Sequence, residues 1–233
     1  MEGQTELLFV EWLIKNIAGA KKILITKKEA TGGKRNSRQL SQITGKSENL
    51  IDQCEDTEYY ILIVNCGNDG KVKSDILDHH VKLSESGYGK IIGIRDVYPD
   101  AKYVEIPQLR AGYNKGLPAG TPVISFIFAV MELEAWLIAE YTHFCKIHPN
   151  ITPERIKHEC GIDVFKDDIT QREKPSADLT NIYWLEMIPY DKSNKQVTTL
   201  LSAMDFYHLK NTICLKFGDL NNLFSELDHF FSS

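Results

Sequence analysis

Acidic and amide side chains follow several predicted strands, where they could share a metal ion. Asn65, Asn68 and Asp69 follow YYILIV, Asp96 and Asp100 follow KIIGI, and Glu132 and Glu134 follow PVISFIFAV. Glu2 and Glu6 are four residues apart at the start of the first predicted helix, so both can face one point. Oxygen ligands suit Mg²⁺ or Mn²⁺, and two such ions roughly 4 Å apart can activate water and stabilise the leaving oxygen of a phosphodiester.

Each of these acids, taken alone, is better explained as a helix cap or as a partner of the helix dipole. Their joint placement is what favours a metal, because gathered carboxylates repel one another unless a cation holds them. The candidate ligands are Glu2, Glu6, Asp69, Asp96, Glu132 and Glu134.

Helical and strand patterns alternate in the first half of the chain. Apolar residues repeat with helical spacing from Glu6 to Ala20, and a second helix is predicted over Val72 to Leu83. The predicted strands are Lys21 to Lys27, a fully buried parallel strand at Tyr59 to Val64, Lys90 to Ile94, and Pro122 to Val130. This order predicts an α/β fold with a mostly parallel sheet, helices on both faces, and a functional edge at the carboxyl ends of the strands.

A basic segment begins at Lys27 and is predicted to be a loop that leads into a helix over Ser37 to Ile43. Its cations and two glycines could meet a phosphate, although solvated lysines explain the same composition. The candidate nucleic-acid-binding residues are Lys27, Lys28, Lys34, Arg35 and Arg38. TGGKRNS lacks the Walker A pattern, which disfavours nucleotide hydrolysis.

The pattern changes after about residue 140, where no strand is predicted. A short helix begins at Thr152-Pro153, and further helices are predicted over Leu179 to Ile188, Gln196 to Met204 and Leu220 to Phe231. We therefore expect an α/β domain at residues 1–140 and a helical C-terminal region at residues 141–233 that packs on it.

Composition limits the class of protein. The 233 residues carry a net charge of −5, which disfavours a protein that coats nucleic acid by bulk electrostatics. The longest apolar run is about half of the roughly 20 residues that cross a bilayer, and MEGQTE lacks the features of a secretion signal. The five cysteines form no CxxC pair, so we expect reduced thiols, a cytoplasmic location and no membrane partner.

The opening MEGQTE resembles the EGxTE or EGxxD signature of Toprim domains, which topoisomerases, bacterial primases and the overcoming-lysogenization-defect nucleases share. With GGK at 32–34 and MELEAWLIAE, the first 140 residues resemble small stand-alone Toprim-like proteins, often encoded beside an ATPase in anti-phage loci. The resemblance implies that Glu2 is the signature glutamate and Glu6 the second acid. It also implies that Lys174 in REKPS completes a nuclease site, with Glu2, Asp96 and Lys174 as catalytic residues.

The resemblance implies a metal-dependent endonuclease that acts on DNA or RNA. It also implies that the protein is an anti-phage effector and that an ATPase is its partner. A homo-oligomer is a further expectation. Two departures from the family pattern support an alternative. NCGND stands where an acidic DxD motif is expected at Asn65, and only Met1 precedes Glu2 where a strand is expected. The alternative is a catalytically degenerate Toprim-fold binding module that partners an ATPase. Small-molecule phosphate chemistry is a third hypothesis, which only the general fold favours.

Overall fold

A computed structural model describes residues 1, 3–31, 39–42 and 56–232. The chain forms two compact units. The first unit contains Met1–Ile94, Gly116–Phe126 and Glu226–Ser233, and the second contains Arg95–Lys115 and Ile127–Ser225. The predicted division at residue 140 remains a prediction.

The first unit contains the early alternation of helices and strands. Its elements are α1 (Gln4–Ala18), β1 (Ile23–Thr31), β2 (Gln39–Gln42), β3 (Tyr59–Asn65) and α2 (Asp69–Glu85). β4 (Lys90–Asp96) and β5 (Val123–Ala129) begin in this unit and end in the second. α1 ends at Ala18, and the residue that follows it, Gly19, has a φ of 58°, a positive value that glycine adopts without steric cost.

Two sheets are formed by the described residues. One has the strand order β2-β1-β3, and the other pairs β4 with β5. β1 runs parallel to β3, with Ile23 opposite Tyr59 and Glu29 opposite Asn65, and antiparallel to β2. In the second sheet, Val123 donates to the carbonyl of Gly89 while Val97 donates to that of Ala129, so both strands run in the same direction. The α/β class is therefore confirmed.

Three local predictions are corrected. The predicted helix over Ser37 to Ile43 is wrong at Gln39–Gln42, which form β2 because their main chain pairs with β1. The basic loop was predicted to begin at Lys27, but Lys27 and Lys28 lie within β1, which continues to Thr31. β3 is a parallel strand but is not fully buried, because it forms one end of the three-stranded sheet and Tyr60 is 55% exposed.

Helix α2 fixes the chain that leads into β5. His80 Nε2 lies 3.0 Å from the carbonyl oxygen of Pro122, and the Ser84 hydroxyl donates to the carbonyl of Thr121. The helix begins at the cap residue Asn68, whose side chain accepts a hydrogen bond from the Gly70 amide. A cap of this kind supplies a partner to an otherwise orphan N–H of the first turn.

The second unit is mostly helical, as predicted for the later half of the chain. Its helices are α3 (Ile106–Asn114), α4 (Glu134–Ala139), α5 (Thr142–Ile147), α6 (Pro153–Arg155), α7 (Pro175–Trp184), α8 (Asn194–Ala203), α9 (Phe206–His208) and α10 (Gly218–Ser232), whose last turns belong to the first unit. α4 packs against α7, and α5 packs against α8. Their buried faces form a core that includes Trp136 and Phe144.

The helix that was predicted at Thr152-Pro153 is confirmed, since the Thr152 hydroxyl accepts a hydrogen bond from the Arg155 amide. α7 begins four residues earlier than the predicted Leu179, at Pro175. None of the helices in the described ranges has the length and apolar character needed to cross a membrane.

Candidate functional site

The predicted site residues fall into both units, and several lie outside the described residues. Glu6 and Asp69 belong to the first unit, and Asp96, Glu132, Glu134 and Lys174 belong to the second. Glu2, Lys34, Arg35 and Arg38 are outside the described residues, so their predicted roles remain predictions.

In the first unit, Glu6 and Asp69 are both buried in the first turns of helices. Glu6 is 6% exposed in the first turn of α1, and Asp69 is 4% exposed as the first residue of α2. The Glu6 carboxylate folds back over Gly3, where an added Cβ would lie 2.7 Å from Oε2. A side chain at position 3 would therefore require the end of the flexible Glu6 side chain to shift.

The residues after β3 are engaged locally. Asn65, which stands at the first position expected to be acidic, accepts a hydrogen bond from the Gly67 amide at 2.8 Å. The main chain of Met1 pairs beside the end of β3: its amino group donates to the Val64 carbonyl and its carbonyl accepts from the Cys66 amide. The start of the chain and the end of β3 therefore meet at one edge of this unit.

In the second unit, the turn after β5 is held against the end of β4. We call residues 130–134, between β5 and α4, the acidic turn. The amides of Val97 and Tyr98 both donate to the carbonyl of Met131, at 3.1 and 2.8 Å. Met131 has a φ of 63°, a conformation that is uncommon for a residue with a side chain and that is frequent at functional sites.

Asp96 and the acidic turn are directly connected. Asp96 is the last residue of β4 and is 7% exposed. Its Oδ1 accepts a hydrogen bond from the amide of Leu133 at 2.9 Å, so the carboxylate lies beside the residue that follows Glu132. Asp96 therefore contacts the main chain of the acidic turn one residue after Glu132.

Arg95 fixes the backbone from which Asp96 projects. Arg95 is 2% exposed, and its Nε donates a hydrogen bond to the Asp96 carbonyl at 2.8 Å. The two terminal nitrogens donate to the Tyr113 hydroxyl and to the Asp100 carboxylate. Arg95 therefore has a structural role, and Asp100 serves as its ion-pair partner.

Glu132 lies at the N-terminus of α7. Its Oε2 accepts a hydrogen bond from the Ser176 amide at 2.7 Å, and its Oε1 accepts one from the Ser176 hydroxyl at 2.9 Å. A helix N-terminus favours an anion because its first amides and the helix dipole point toward it. Glu132 is therefore held by neutral donors, and each of its oxygens keeps a second lone pair.

Lys174 stands at the cap position of the same helix. It is solvent-exposed, and its Nζ lies 5.9 Å from the centre of the Tyr98 ring. Tyr98 in turn is bonded through its amide to the acidic turn. The structure thus brings the predicted Lys174 to the helix end that holds Glu132.

Glu134 has a charged partner that the sequence did not indicate. Its side chain is completely buried, and Oε1 lies 2.8 Å from the ammonium group of Lys192. Sequence reasoning missed both Lys192 and Ser176. The turn residues Asp191-Lys192-Ser193-Asn194 and the Pro175 that opens α7 were the available signals of helix starts, but neither signal names a partner.

The basic residues of the first unit have a different arrangement. Lys27 forms an ion pair with Glu11 at 3.0 Å, and Lys15 forms a second one at 2.7 Å. Burial alone would raise the pKa of Glu11, but the two lysines outweigh it and hold that pKa below its ordinary value. Lys28 lies opposite Gln42 in the sheet.

Glu140, His143 and Tyr183 form a further polar group inside the second unit. Glu140 and His143 are 0% exposed, and His143 Nδ1 lies 3.4 Å from Glu140 Oε2. Burial raises the pKa of Tyr183 far above its ordinary value, and the nearby Glu140 carboxylate raises it further. Because these side chains are buried, we assign them to the core rather than to a substrate site.

Within the described ranges, no cluster of three or more His, Cys, Asp or Glu side chains has the arrangement of a metal site. Asp96 contacts the main chain of the acidic turn, and Glu132 of the same turn contacts Ser176. Comparisons with protein-family models, with curated proteins and with solved structures gave no match.

Proposed function

We propose that the chain is a divalent-metal-dependent phosphodiesterase that acts on nucleic acid. The observation that carries the proposal is the contact between Asp96 and the acidic turn, beside the N-terminus of α7 and Lys174. Carboxylates can hold a metal ion and a lysine can stabilise developing charge, and catalysis of phosphoryl transfer is mainly positioning and charge stabilisation.

The donor set fits Mg²⁺ or Mn²⁺. Asp96 and Glu132 would hold the ion with hard carboxylate oxygens, and Glu132 receives only neutral hydrogen-bond donors from Ser176. Mg²⁺ is commonly held by one or two carboxylates together with waters and substrate phosphate, so a small set of protein ligands is sufficient. When bound, the ion supplies charge that stabilises a phosphodiester and lowers the pKa of a bound water.

Other residues of the second unit would stabilise charge and orient the two carboxylates. Lys174 is exposed and can neutralise charge that develops on the phosphorus oxygens. Ser176 orients the Glu132 carboxylate, and Leu133 orients that of Asp96 through its amide. Glu2, Glu6, Asp69 and Glu134 remain predicted ligands, and Lys27, Lys28, Lys34, Arg35 and Arg38 remain predicted nucleic-acid contacts.

The resemblance of the opening EG motif to Toprim domains supports the proposals about family, biological role and protein partner. We propose a Toprim-like domain, a cytoplasmic anti-phage effector and an ATPase as the protein partner.

Cleavage assays test the proposal. Purified protein is incubated with plasmid DNA and with labelled RNA, with Mg²⁺, with Mn²⁺ and with chelator. Asp96→Asn and Glu132→Gln should each reduce metal-dependent cleavage by at least about 100-fold, the loss expected when a charge-stabilising group is removed. Glu2→Ala tests the signature glutamate in the same assay.

Glu154→Gln is the matched control, since Glu154 is an exposed acid of α6 in the same unit. It should stay within about twofold of the unchanged protein, as expected of a surface substitution. Circular dichroism verifies that each variant is folded. Absence of metal-dependent cleavage in the unchanged protein, or full activity in both site variants, would exclude the proposed activity.

A second function, the degenerate binding module, is favoured by one observation. Asn65 stands where an acid is expected, and its side-chain oxygen accepts a hydrogen bond from the Gly67 amide. Calorimetric titration with Mn²⁺ separates the two functions, because a module that has lost catalysis should bind no metal with useful affinity.

A further inference from the structure

Helix α3 contacts both strands that lead to the candidate site. Tyr113, near the end of this helix, contacts Arg95 of β4, and Arg110 contacts Phe128 of β5. β4 ends at Asp96, and β5 is followed by the acidic turn. The helix is therefore placed to fix the two strand ends relative to each other.

The contact with β4 is made by a buried arginine. The Tyr113 hydroxyl accepts a hydrogen bond from the Arg95 guanidinium at 2.6 Å. The same guanidinium donates through Nε to the carbonyl of Asp96. A buried charged donor that loses its acceptor is destabilised, because water cannot replace the missing partner. Removal of the Tyr113 hydroxyl should therefore disturb Arg95 and the end of β4 with it.

The contact with β5 is made by an ion pair. The Asp219 carboxylate, in the first turn of α10, accepts hydrogen bonds from both terminal nitrogens of Arg110. Its Oδ1 also accepts a hydrogen bond from the Phe128 amide at 3.1 Å. The Arg110 guanidinium lies 4.8 Å from the centre of the Phe128 ring. These contacts fix β5 shortly before the acidic turn.

The two contacts of α3 are continuous with each other. The Tyr113 and Phe128 rings meet edge to face, with their centres 5.4 Å apart. Each of the three guanidinium nitrogens of Arg95 has an acceptor. Buried polar groups whose hydrogen bonds are made in this way make the surrounding structure rigid. The ends of β4 and β5 are thus held by one connected set of side chains.

We propose that α3 positions Asp96 against the acidic turn, with Tyr113 and Asp219 as positioning residues. Tyr113 acts through Arg95 on the end of β4, and Asp219 acts through Phe128 and Arg110 on β5. The contact that they control is the hydrogen bond from the Leu133 amide to the Asp96 carboxylate. The expected effect on cleavage rests on the proposed function, whereas the effect on this hydrogen bond does not.

Amide hydrogen exchange, followed by NMR on the full chain, tests the positioning. Tyr113→Phe keeps the ring and removes only the hydroxyl. The Leu133 amide should then exchange at least about 10-fold faster, the factor expected for the loss of one hydrogen bond to a charged group. The His148 amide, which donates to the Phe144 carbonyl in the same unit, is the reference and should stay within about twofold.

Two further variants complete the exchange experiment. Asp219→Asn keeps the size of the side chain and removes its charge, so the Leu133 amide should again exchange faster than the reference. Tyr103→Phe is the matched control, since Tyr103 is an exposed tyrosine of the same unit, and it should leave both amides unchanged. Tyr113→Phe alone decides the test if Asp219→Asn does not fold.

Steady-state cleavage measures the consequence for catalysis. In Tyr113→Phe, kcat for metal-dependent cleavage should fall by about 10- to 100-fold, because a small displacement of a reacting group is costly. KM should stay within about twofold, because Tyr113 is buried and does not bind the substrate. A role in overall stability alone would accelerate the exchange of both amides alike and would not change kcat of the folded protein.

The outcomes separate this inference from the proposed function. Faster exchange at Leu133 alone, together with a lower kcat, supports it. Equal acceleration at Leu133 and His148, no acceleration in Tyr113→Phe, or an unchanged kcat despite faster local exchange overturns it and leaves the proposed function standing. If the unchanged protein does not cleave nucleic acid, the proposed function fails, and the exchange rates still decide whether α3 positions Asp96.

Discussion

After β3, Asn65 accepts a hydrogen bond from Gly67, two residues further on, and Asn68 accepts one from Gly70. After β5, by contrast, Glu132 is bonded to Ser176, 44 positions later in the chain. Both segments follow strands and carry acid or amide groups. In the first unit these groups shape their own turn, whereas in the second they are held by helices from a distant part of the sequence.

Under the proposed function, this difference predicts that the acids of the second unit, and not the amides after β3, hold a cation. A side chain that accepts a hydrogen bond from an amide of its own turn caps a helix or stabilises the loop, so its substitution changes local stability. A carboxylate oriented by another element, with a lysine beside it, is preorganised for charge stabilisation. Lys174 and Lys192 both project from the chain just before a helix of the second unit.

The largest expected effect is on the cleavage rate, when a lysine of the second unit, Lys174, is compared with a lysine of the first unit, Lys27. Lys174→Met should reduce the rate of metal-dependent cleavage by about 100- to 1,000-fold, since it removes a cation from the developing phosphorane. Lys27→Met should reduce it less than about threefold, because Lys27 is paired with Glu11 in the first unit. Single-turnover cleavage measures both rates.

Calorimetric titration of Lys174→Met with Mn²⁺ separates charge stabilisation from metal binding. The affinity should be unchanged within about threefold, since Lys174 is not a ligand. Equal losses of rate in Lys174→Met and Lys27→Met would mean that the two units do not differ in the way proposed.

A smaller effect tests the packing role of the first unit. A Cβ on Gly93 would lie 2.6 Å from the Phe126 ring and 2.9 Å from the end of Ile76. Gly93→Ala should therefore lower the free energy of unfolding by about 1–3 kcal/mol, the range for overpacking a filled core. Urea denaturation measures the change, and Mn²⁺ affinity should be retained.

Gly89→Ala is the control for this substitution, because nothing lies within 4 Å of an added Cβ at that position of the same region. It should change the free energy of unfolding by less than about 0.5 kcal/mol. Similar costs at both glycines would show that contact with Phe126 and Ile76 is not the cause.

Regular elements were predictable where side-chain patterns repeat. The β-branched segments of β3, β4 and β5 and the helical spacing of α1 gave these elements within a few residues. The sequence did not show that Gln39–Gln42 form a strand, because polar residues there take their structure from pairing with β1. Strand pairing is a property of two distant segments, so local propensity cannot supply it.

The candidate site was predictable in part for the same reason. Asp96 and Glu132 could be named because parallel strands end at a common edge. Ser176 and Lys192 could not, since contacts across 44 and more positions depend on how helices pack and leave no local pattern. Glu134 illustrates the consequence: its position in the sequence suggested a metal ligand, and its partner is a lysine.

The smallest effect concerns an ion pair of the first unit. Glu11 has a side chain 14% exposed, and its two lysines are 58% and 39% exposed, so solvent screens the pairs. Glu11→Gln should lower the free energy of unfolding by no more than about 1 kcal/mol at pH 7. Glu85→Gln, at an exposed acid that ends α2, is the control and should have less effect.

The pH dependence of that difference follows from the lowered pKa of Glu11. The folded state favours the ionised carboxylate, so the stabilisation is complete above the unfolded pKa of about 4.3 and is lost as the pH falls through the lower folded pKa. Urea denaturation at pH 7, 5 and 3 should show a difference between Glu11→Gln and the unchanged protein that shrinks toward zero only at the lowest pH. A difference that persists undiminished at pH 3 would mean that Glu11 stabilises the first unit by packing, because a contribution from charge must disappear when the carboxylate is protonated.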